Sequence, residues 1–286
     1  MSKRICTRID RGKDAVDGAG VKLRRVLGLR TVREYDPFLM LDGFDSTDPN
    51  DYIKGFPWHP HRGIETVTYL VQGIIDHKDS LGNEGSIGAL QCQWMTAGSG
   101  IIHQEMPKAS DRMLGCQLWI NLPAKDKMTS PAYKDIRQED VPVITSDTAV
   151  VRVLAGTYNG RAGAFDAGSR RVNYLDIELQ PNTEWRYDQT PNDHTLFLYL
   201  LEGTLLTHGL EQPETKGCAL LMTSPDQKQN AQVVVQSGPE GARFLLISGK
   251  PLHEPISWGG PIVMNTKEEL DLAFQQLDNG TFINGG

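Results

Sequence analysis

Short apolar stretches separated by turn residues recur along the 286-residue chain and predict strands. Residues 64–72, IETVTYLVQ, are rich in β-branched and aromatic side chains and end at Gly73. Residues 87–96 and 113–122 have the same character, and DPFLMLDGF at 36–44 predicts a further buried strand. Because the chain shows no strong helical period before its tail, the pattern predicts an all-β protein built as a sandwich or a barrel.

The tail, NTKEELDLAFQQLDNG, is the exception and predicts one short helix at 267–278. Thr266 and Glu269 have the spacing of a capping box, which begins a helix, and Asn279-Gly280 ends it. The apolar stripe consists of Leu270, Ala273, Phe274 and Leu277. Such a stripe predicts packing across a barrel or at a domain junction.

The second half of the chain repeats the first. ETVTYLVQG, which starts at residue 65, aligns with TLFLYLLEG, which starts at residue 195, so that Tyr69 falls on Tyr199 and Gly73 on Gly203. A repeat of this size indicates a duplicated domain rather than a solenoid.

This repeat predicts two domains, at 1–125 and 132–286, with the tail helix in the second. The polar, lysine-rich stretch 123–131 is interpreted as the linker between them.

Two pairs of potential metal ligands stand at i, i+2 spacing: His59 with His61, and His103 with Glu105. Side chains two residues apart on a strand share a face, so two adjacent strands could converge four ligands on one point. Three imidazoles and one carboxylate suit a divalent transition metal, and on an octahedral ion they leave two open positions. A tetrahedral zinc ion would instead be saturated. The ligand types do not choose among iron, manganese, nickel, copper and zinc.

Glu65 competes with Glu105 as the carboxylate ligand. Counting by twos from the first histidine pair, Glu65 shares its face if the strand is regular, but Pro60 and Gly63 both weaken ladder pairing. Glu105 is therefore favoured as the ligand, and Glu65 as a hydrogen-bond acceptor for a ligand histidine.

The repeat also bears on the second domain. At the shift of the repeat, His59 falls on Gln189 and His61 on Pro191, and no histidine matches His103. We therefore predict one metal ion per chain and a second domain without a metal site.

Four apolar side chains beside the ligand pairs are candidates for a pocket mouth, although single side chains of this kind more often belong to the core. They are Phe56, Trp58, Trp94 and Met95. Arg62 should point to the opposite strand face, where a structural salt bridge is expected, and His77 is expected near a rim without a metal role. The basic residues between 22 and 33 predict a solvated strand face, with a docking patch for an acidic partner as the alternative.

Composition narrows the function classes. The net charge of −7 argues against non-specific binding to nucleic acid or to acidic membranes. The four cysteines form no CxxC motif and are interpreted as free thiols in a reducing compartment. Neither a secretory signal nor an apolar run of membrane length occurs, so we expect a cytoplasmic protein, or a nuclear one in a eukaryote.

The long motifs resemble the pirin family of the cupin superfamily. HPHRG followed by ETVTYL, and then QWMTAGSGIIHQEMP, carry the resemblance, as do DPFLMLD, QLWINLP and PISWGGPIVMNTKEEL. It implies a bicupin of two stacked jelly-roll β-barrels, with iron in the first and an empty second. It also implies that the metal ligands are His59, His61, His103 and Glu105.

The resemblance further implies a dioxygenase of the quercetin 2,3-dioxygenase type. Such an oxidoreductase opens the ring of a flavonol with dioxygen, with the enolate held on Fe(II) and Glu105 as the base; Mn, Ni, Cu and Zn are alternatives. The same family implies a different role, as a metal-dependent transcriptional coregulator or a binder of metabolic enzymes, in which a protein is the partner. A cupin isomerase or hydrolase that uses zinc or manganese is the third hypothesis.

Overall fold

The computed structural model describes residues 2–168, 171–225 and 231–283, and within them strands predominate and one α-helix occurs. The predicted all-β fold with a short C-terminal helix is confirmed. The chain divides into two compact units. The first unit comprises Asp14–Arg30, Phe38–Gln138 and the chain from Leu252 onward. The second unit comprises the chain up to Lys13, Thr31–Pro37 and Glu139–Pro251.

The first unit contains a seven-stranded sheet, a four-stranded sheet, a small hairpin and the helix. Its elements are β2 (Lys13–Asp17), β3 (Val21–Leu27), β4 (Phe38–Ser46), β5 (Phe56–His61), β6 (Ile64–Gln72), β7 (Ile75–Asp79), β8 (Glu84–Ile87), β9 (Gln91–Thr96), β10 (Ile101–Pro107), β11 (Met113–Asn121), β12 (Ala132–Ile136), the hairpin strands β23 (Ser257–Gly259) and β24 (Ile262–Met264), and α1 (Lys267–Asp278).

The two larger sheets of this unit have the strand orders β12-β9-β6-β11-β4-β3-β2 and β5-β10-β7-β8. A buried cluster joins Phe44 and Leu70 of the first sheet to Ile75 and Ile87 of the second, so the sheets pack against each other through an apolar core. Among the described residues the sheets remain open at their edges, which is the double-sheet form of a jelly roll rather than a closed barrel.

The second unit is built around one nine-stranded sheet. Its strands are β1 (Ile5–Arg11), β13 (Val143–Thr145), β14 (Ala149–Ala155), β17 (Asn173–Leu179), β18 (Glu184–Tyr187), β19 (Thr195–Thr207), β20 (Glu214–Thr215), β21 (Cys218–Thr223) and β22 (Val233–Gly249), beside a hairpin of β15 (Thr157–Tyr158) and β16 (Arg161–Ala162). Alternate side chains of these strands form an apolar core that includes stacked rings of Tyr158, Trp185 and Tyr187.

The internal repeat is visible in the strand order. The path β12-β9-β6-β11-β4-β3-β2 of the first unit matches β1-β21-β19-β22-β17-β14-β13 of the second, with β6 and β19 in equivalent central positions. The two glycines aligned by the repeat, Gly73 and Gly203, both have positive φ, at 105° and 71°. A Cβ there would lie 2.7 Å from Met113 and 2.2 Å from the carbonyl oxygen of Gly241, respectively, so both turns require glycine.

The units differ from the linear division at 1–125 and 132–286. The N-terminal strand β1 pairs with β21 of the second unit, and β12, which follows the expected linker, pairs with β9 of the first. The helix begins and ends as predicted, and Thr266 and Glu269 form the capping box. It belongs to the first unit, however, because its apolar residues pack with Ile262 and Met264 beside the four-stranded sheet's Ile102.

Candidate metal centre and its cavity

Three histidines converge on the four-stranded sheet of the first unit. His59 and His61 lie on β5, and His103 on the adjacent antiparallel strand β10, where it is directly opposite His59. The ring centroids are 4.3 Å apart for His59 and His103, 4.8 Å for His59 and His61, and 5.0 Å for His61 and His103. One ring nitrogen of each lies within 4.8 Å of the others, a spacing that can hold one metal ion.

Two of these imidazoles form hydrogen bonds through Nδ1, which leaves their Nε2 atoms available to bind a metal. Nδ1 of His59 donates to the carbonyl oxygen of Pro57 at 2.9 Å, and Nδ1 of His61 donates to that of Pro261 at 3.2 Å. Nε2 of His61 and Nε2 of His103 are buried and accept no hydrogen bond from the described residues. Burial, and then the neighbouring imidazoles, lower the pKa of His61 and of His103 well below the usual value. Neutral rings with a free Nε2 are the form that binds a metal.

Glu105 is buried on the same face of β10 as His103, although a bulge separates the two in the pairing with β5. Its Oε1 accepts hydrogen bonds from the Thr68 hydroxyl at 3.0 Å and the Gln117 amide at 2.9 Å, and its Oε2 accepts one from Gln117 at 2.8 Å. The carboxylate lies outside the group of atoms within 4.8 Å of one another. Because Oε2 accepts a single hydrogen bond, a lone pair remains for a metal or a proton.

Two neighbouring residues have partners that the sequence did not indicate. Glu65 is fully buried and accepts from the Thr96 hydroxyl at 2.7 Å, whereas proline carbonyls accept the hydrogen bonds of His59 and His61. His77 is buried rather than at a rim; it lies opposite Glu105 across the β7–β10 pair and contacts the Tyr133 hydroxyl.

Arg62 does not form the expected salt bridge with any residue that the structure describes. Its guanidinium donates to the carbonyl oxygens of Ser99 and Phe282 and to the Gln276 side chain, and it stacks on the Phe282 ring at 4.1 Å. It thus ties the strand after His61 to the C-terminal segment, in which Gln276 and Phe282 lie. Carbonyl and amide oxygens thus take the place of the carboxylate partner that was expected, because the buried Arg62 packs against the helix and the backbone.

Lys127 lies within the polar stretch 123–131 that was interpreted as the linker, and it is buried in the first unit. It is 1% exposed, and its Nζ donates to the carbonyl oxygens of Gly63 and Val263, both at 2.9 Å, and to the Asn121 side chain at 2.7 Å. The lysine therefore fastens the hairpin β23–β24 to the strands that carry the histidines.

A cavity of about 440 Å³ opens onto His59 and His61. Its size falls within the range of roughly 300–1,000 Å³ for small-molecule sites. Aromatic side chains form much of its wall, namely Phe56, Trp119 and Trp258. The Trp119 ring packs edge-on against His61 at 5.0 Å and lies 5.9 Å from Trp258. The walls suit a planar aromatic compound.

Of the four side chains suggested for a pocket mouth, Phe56 lines the cavity. Trp58 is 53% exposed to solvent, and Trp94 and Met95 are each 1% exposed within the core. Trp119 and Trp258 take their place. Trp119 lies on β11, two residues after Gln117, and therefore on the same face of the strand. The alternation of side chains along that strand could have indicated this position. Trp258 lies on β23, and the C-terminal hairpin places it at the cavity. No local sequence pattern indicates this contact.

Two family models match this chain. The family model described as Pirin matches residues 20–120, and the Pirin C-terminal cupin domain matches residues 174–283. The chain belongs to the pirin family.

Relatives cover almost the whole chain. A Pseudomonas aeruginosa protein named "Putative quercetin 2,3-dioxygenase PA3240" is 43% identical over 94% of this chain and 94% of its own length. Human "Pirin" is 34% identical over 94% of this chain and 91% of its own. The crystal structure of a quercetin 2,3-dioxygenase from Acinetobacter baumannii superposes with a TM-score of 0.87 and 30% identity, covering 98% of this chain and 99% of that one.

The same cavity of this pirin-family chain contains a charged cluster, Asp17, Arg25 and Asp42. Arg25 on β3 lies opposite Asp42 on β4 and donates from Nε and Nη2 to its two carboxylate oxygens, at 2.9 and 2.7 Å. Nη2 also donates to Asp17 at 2.7 Å. These bonds, first of all those to Asp42, raise the pKa of Arg25.

Arg25 therefore departs from the predicted solvated basic face. Val21, Leu23 and Arg25 alternate along β3, so that arginine shares the inward face with two buried apolar side chains. The neighbouring Lys22 and Arg24 are exposed as predicted.

No helix in the described part of the chain is long and apolar enough to cross a membrane.

Proposed function

We propose that this chain is a metal-dependent dioxygenase that opens the ring of a flavonol such as quercetin, with His59, His61, His103 and Glu105 as the metal ligands. The observation that carries the proposal is the pair of buried, unpartnered Nε2 atoms on His61 and His103. A buried polar nitrogen without a partner costs about 1–3 kcal/mol, a cost that a bound metal ion removes.

The residues fit a divalent ion such as Fe(II), for which Mn, Ni, Cu and Zn are alternatives. Three neutral imidazoles and one carboxylate supply nitrogen and oxygen ligands, and they leave coordination positions for substrate. The metal, when bound, supplies Lewis acidity toward the enol oxygen and redox chemistry toward dioxygen. The relatives named as quercetin 2,3-dioxygenases support the choice of reaction.

The chain's own residues supply a base and an aromatic slot. Gln117 and Thr68 hold the Glu105 carboxylate in one orientation. Its one remaining Oε2 lone pair would bind the metal and, once the carboxylate loosened from the ion, would accept the proton of the substrate 3-hydroxyl. Trp119, Trp258 and Phe56 would hold the flat ring system and exclude water from it.

The test is oxygen uptake by anaerobically purified protein loaded with Fe(II), after addition of quercetin. We expect one dioxygen consumed and one carbon monoxide released per quercetin. Glu105→Gln should lower kcat by about 10²–10⁴-fold, the usual contribution of a general base. Asp111→Asn, an exposed residue outside the cavity, is the control.

A fully loaded protein that consumes no oxygen with any flavonol would refute the dioxygenase. If His61→Ala then abolished binding to a protein partner, the metal-dependent regulatory function would replace it. One bound zinc without any response to iron would instead favour a cupin isomerase or hydrolase.

A further inference from the structure

The charged cluster of Asp17, Arg25 and Asp42 lines the same cavity as His59 and His61. We propose that it selects substrates that are uncharged and carry hydroxyl groups on the pendant ring, which is not the ring that opens. This inference rests on the proposed function, because it assigns the substrate class of the same site.

The hydrogen-bond inventory of the cluster leaves capacity for a ligand. Asp42 accepts two hydrogen bonds, both from Arg25, and Asp17 accepts one from Arg25 and one from the backbone N–H of Gly18. A carboxylate offers about four acceptor positions, so each retains about two. Nη1 of Arg25 donates to none of the described residues, which leaves donors as well.

The geometry of the cluster is fixed in advance. Asp42 is 4% exposed, and its two parallel bonds with Arg25 form a bidentate pair between adjacent strands. Asp17 lies at the end of β2, and the hydrogen bonds from Arg25 and Gly18 outweigh burial and lower its pKa. The carboxylates are therefore held in place before a ligand enters, which reduces the entropy lost on binding.

Charge decides which ligands the cluster accepts. Two carboxylates against one guanidinium leave one net negative charge in the cavity wall. A carboxylate-bearing enol would meet like charge there, whereas phenolic hydroxyls can donate to the free acceptor positions of Asp17 and Asp42. His61, whose Nε2 is buried and unpartnered, lines the same cavity as the cluster.

The experiment measures binding of three flavonols that differ only in the hydroxyls of the pendant ring: galangin with none, kaempferol with one and quercetin with two. A fourth probe, galangin with a 4′-carboxylate, tests charge. Dissociation constants are measured by fluorescence quenching on the metal-loaded protein under anaerobic conditions. We expect quercetin to bind at least about tenfold tighter than galangin, and the carboxylate to bind more weakly than galangin.

Asp17→Asn keeps the size of the side chain and removes one charge. It should reduce the quercetin preference to within about threefold and strengthen binding of the carboxylate probe. Asp14→Asn is the matched control, because Asp14 lies on the same strand and pairs with Arg24 outside the cavity. The control should keep the wild-type preference. Circular dichroism and metal content confirm that both variants are folded and loaded.

The outcomes separate this inference from the proposed function. Equal binding of the three flavonols, or an unchanged preference in Asp17→Asn, would overturn the inference even if turnover occurs. The absence of any flavonol binding would overturn it as well. A hydroxyl preference that Asp17→Asn removes, without oxygen uptake, would support the recognition role and reject the dioxygenase.

Discussion

The carbonyl oxygen of Pro261 accepts a hydrogen bond from Nδ1 of His61 at 3.2 Å, across 200 residues of sequence. That bond fixes which nitrogen of His61 carries the proton and leaves Nε2 for a metal. The C-terminal hairpin that contains Pro261 therefore helps to build the centre on β5 and β10. Lys127 and Arg62 hold this segment against the strands of the centre.

The first prediction concerns Lys127. Lys127→Met should lower the free energy of unfolding by about 3 kcal/mol, because three buried acceptors lose their donor together. Urea denaturation of the metal-free protein measures this change. Lys125→Met, at an exposed position two residues earlier, should stay within about 0.5 kcal/mol. Equal effects of the two substitutions would contradict the role of Lys127 as a fastening point.

The second prediction concerns the metal centre itself. Wild-type protein should bind one divalent metal ion per chain. His61→Ala or His103→Ala should weaken metal binding by about 100-fold, because each substitution removes a ligand atom. Plasma mass spectrometry after anaerobic loading gives the stoichiometry. His208→Ala, an exposed histidine of the second unit, should bind like wild type. Two metal ions per chain would show that the second unit also carries a site.

The third prediction concerns Gln117, which donates to both oxygens of Glu105 and accepts from the Trp119 indole. Gln117→Leu should weaken Fe(II) binding by about 10–100-fold, because the Glu105 carboxylate loses its fixed orientation. Calorimetric titration under nitrogen measures the affinity. Gln104→Leu, on the opposite face of β10 beside His103, serves as the control. If both variants bind equally well, the hydrogen bonds to Glu105 do not orient a ligand.

The fourth prediction concerns the second unit. Asp176 is fully buried and pairs with Arg152 at 3.3 Å and Arg243 at 2.5 Å. Asp176→Ala should lower the free energy of unfolding by about 3 kcal/mol, because it removes the buried carboxylate that pairs with two partly buried guanidinium groups. Glu178→Ala, an exposed partner of Arg152 on the same strand, should cost about 1 kcal/mol or less. Thermal and urea denaturation of both variants distinguishes these values.

Much of the centre could be predicted because strand geometry is local. The i, i+2 spacing of His59 and His61 gives the shared face, and the repeat identifies the central strands β6 and β19. The helix could be predicted from its capping box and apolar stripe. The inward position of Arg25 could also have been predicted, because alternation along β3 puts it on the face of Val21 and Leu23.

The sequence by itself determined the strand character of the chain, its duplication, the capped helix and the residues able to bind a metal. These follow from patterns within a few residues or from a repeat that alignment reveals. Only the tertiary structure decided that β1 and β12 cross the expected domain boundary, that Lys127 is buried, and that Trp258 and Pro261 complete the cavity. The strand pairings among them join residues from 36 apart, for Ala132 with Thr96, to 218 apart, for Ile5 with Thr223, and no local pattern encodes which distant backbone groups will meet.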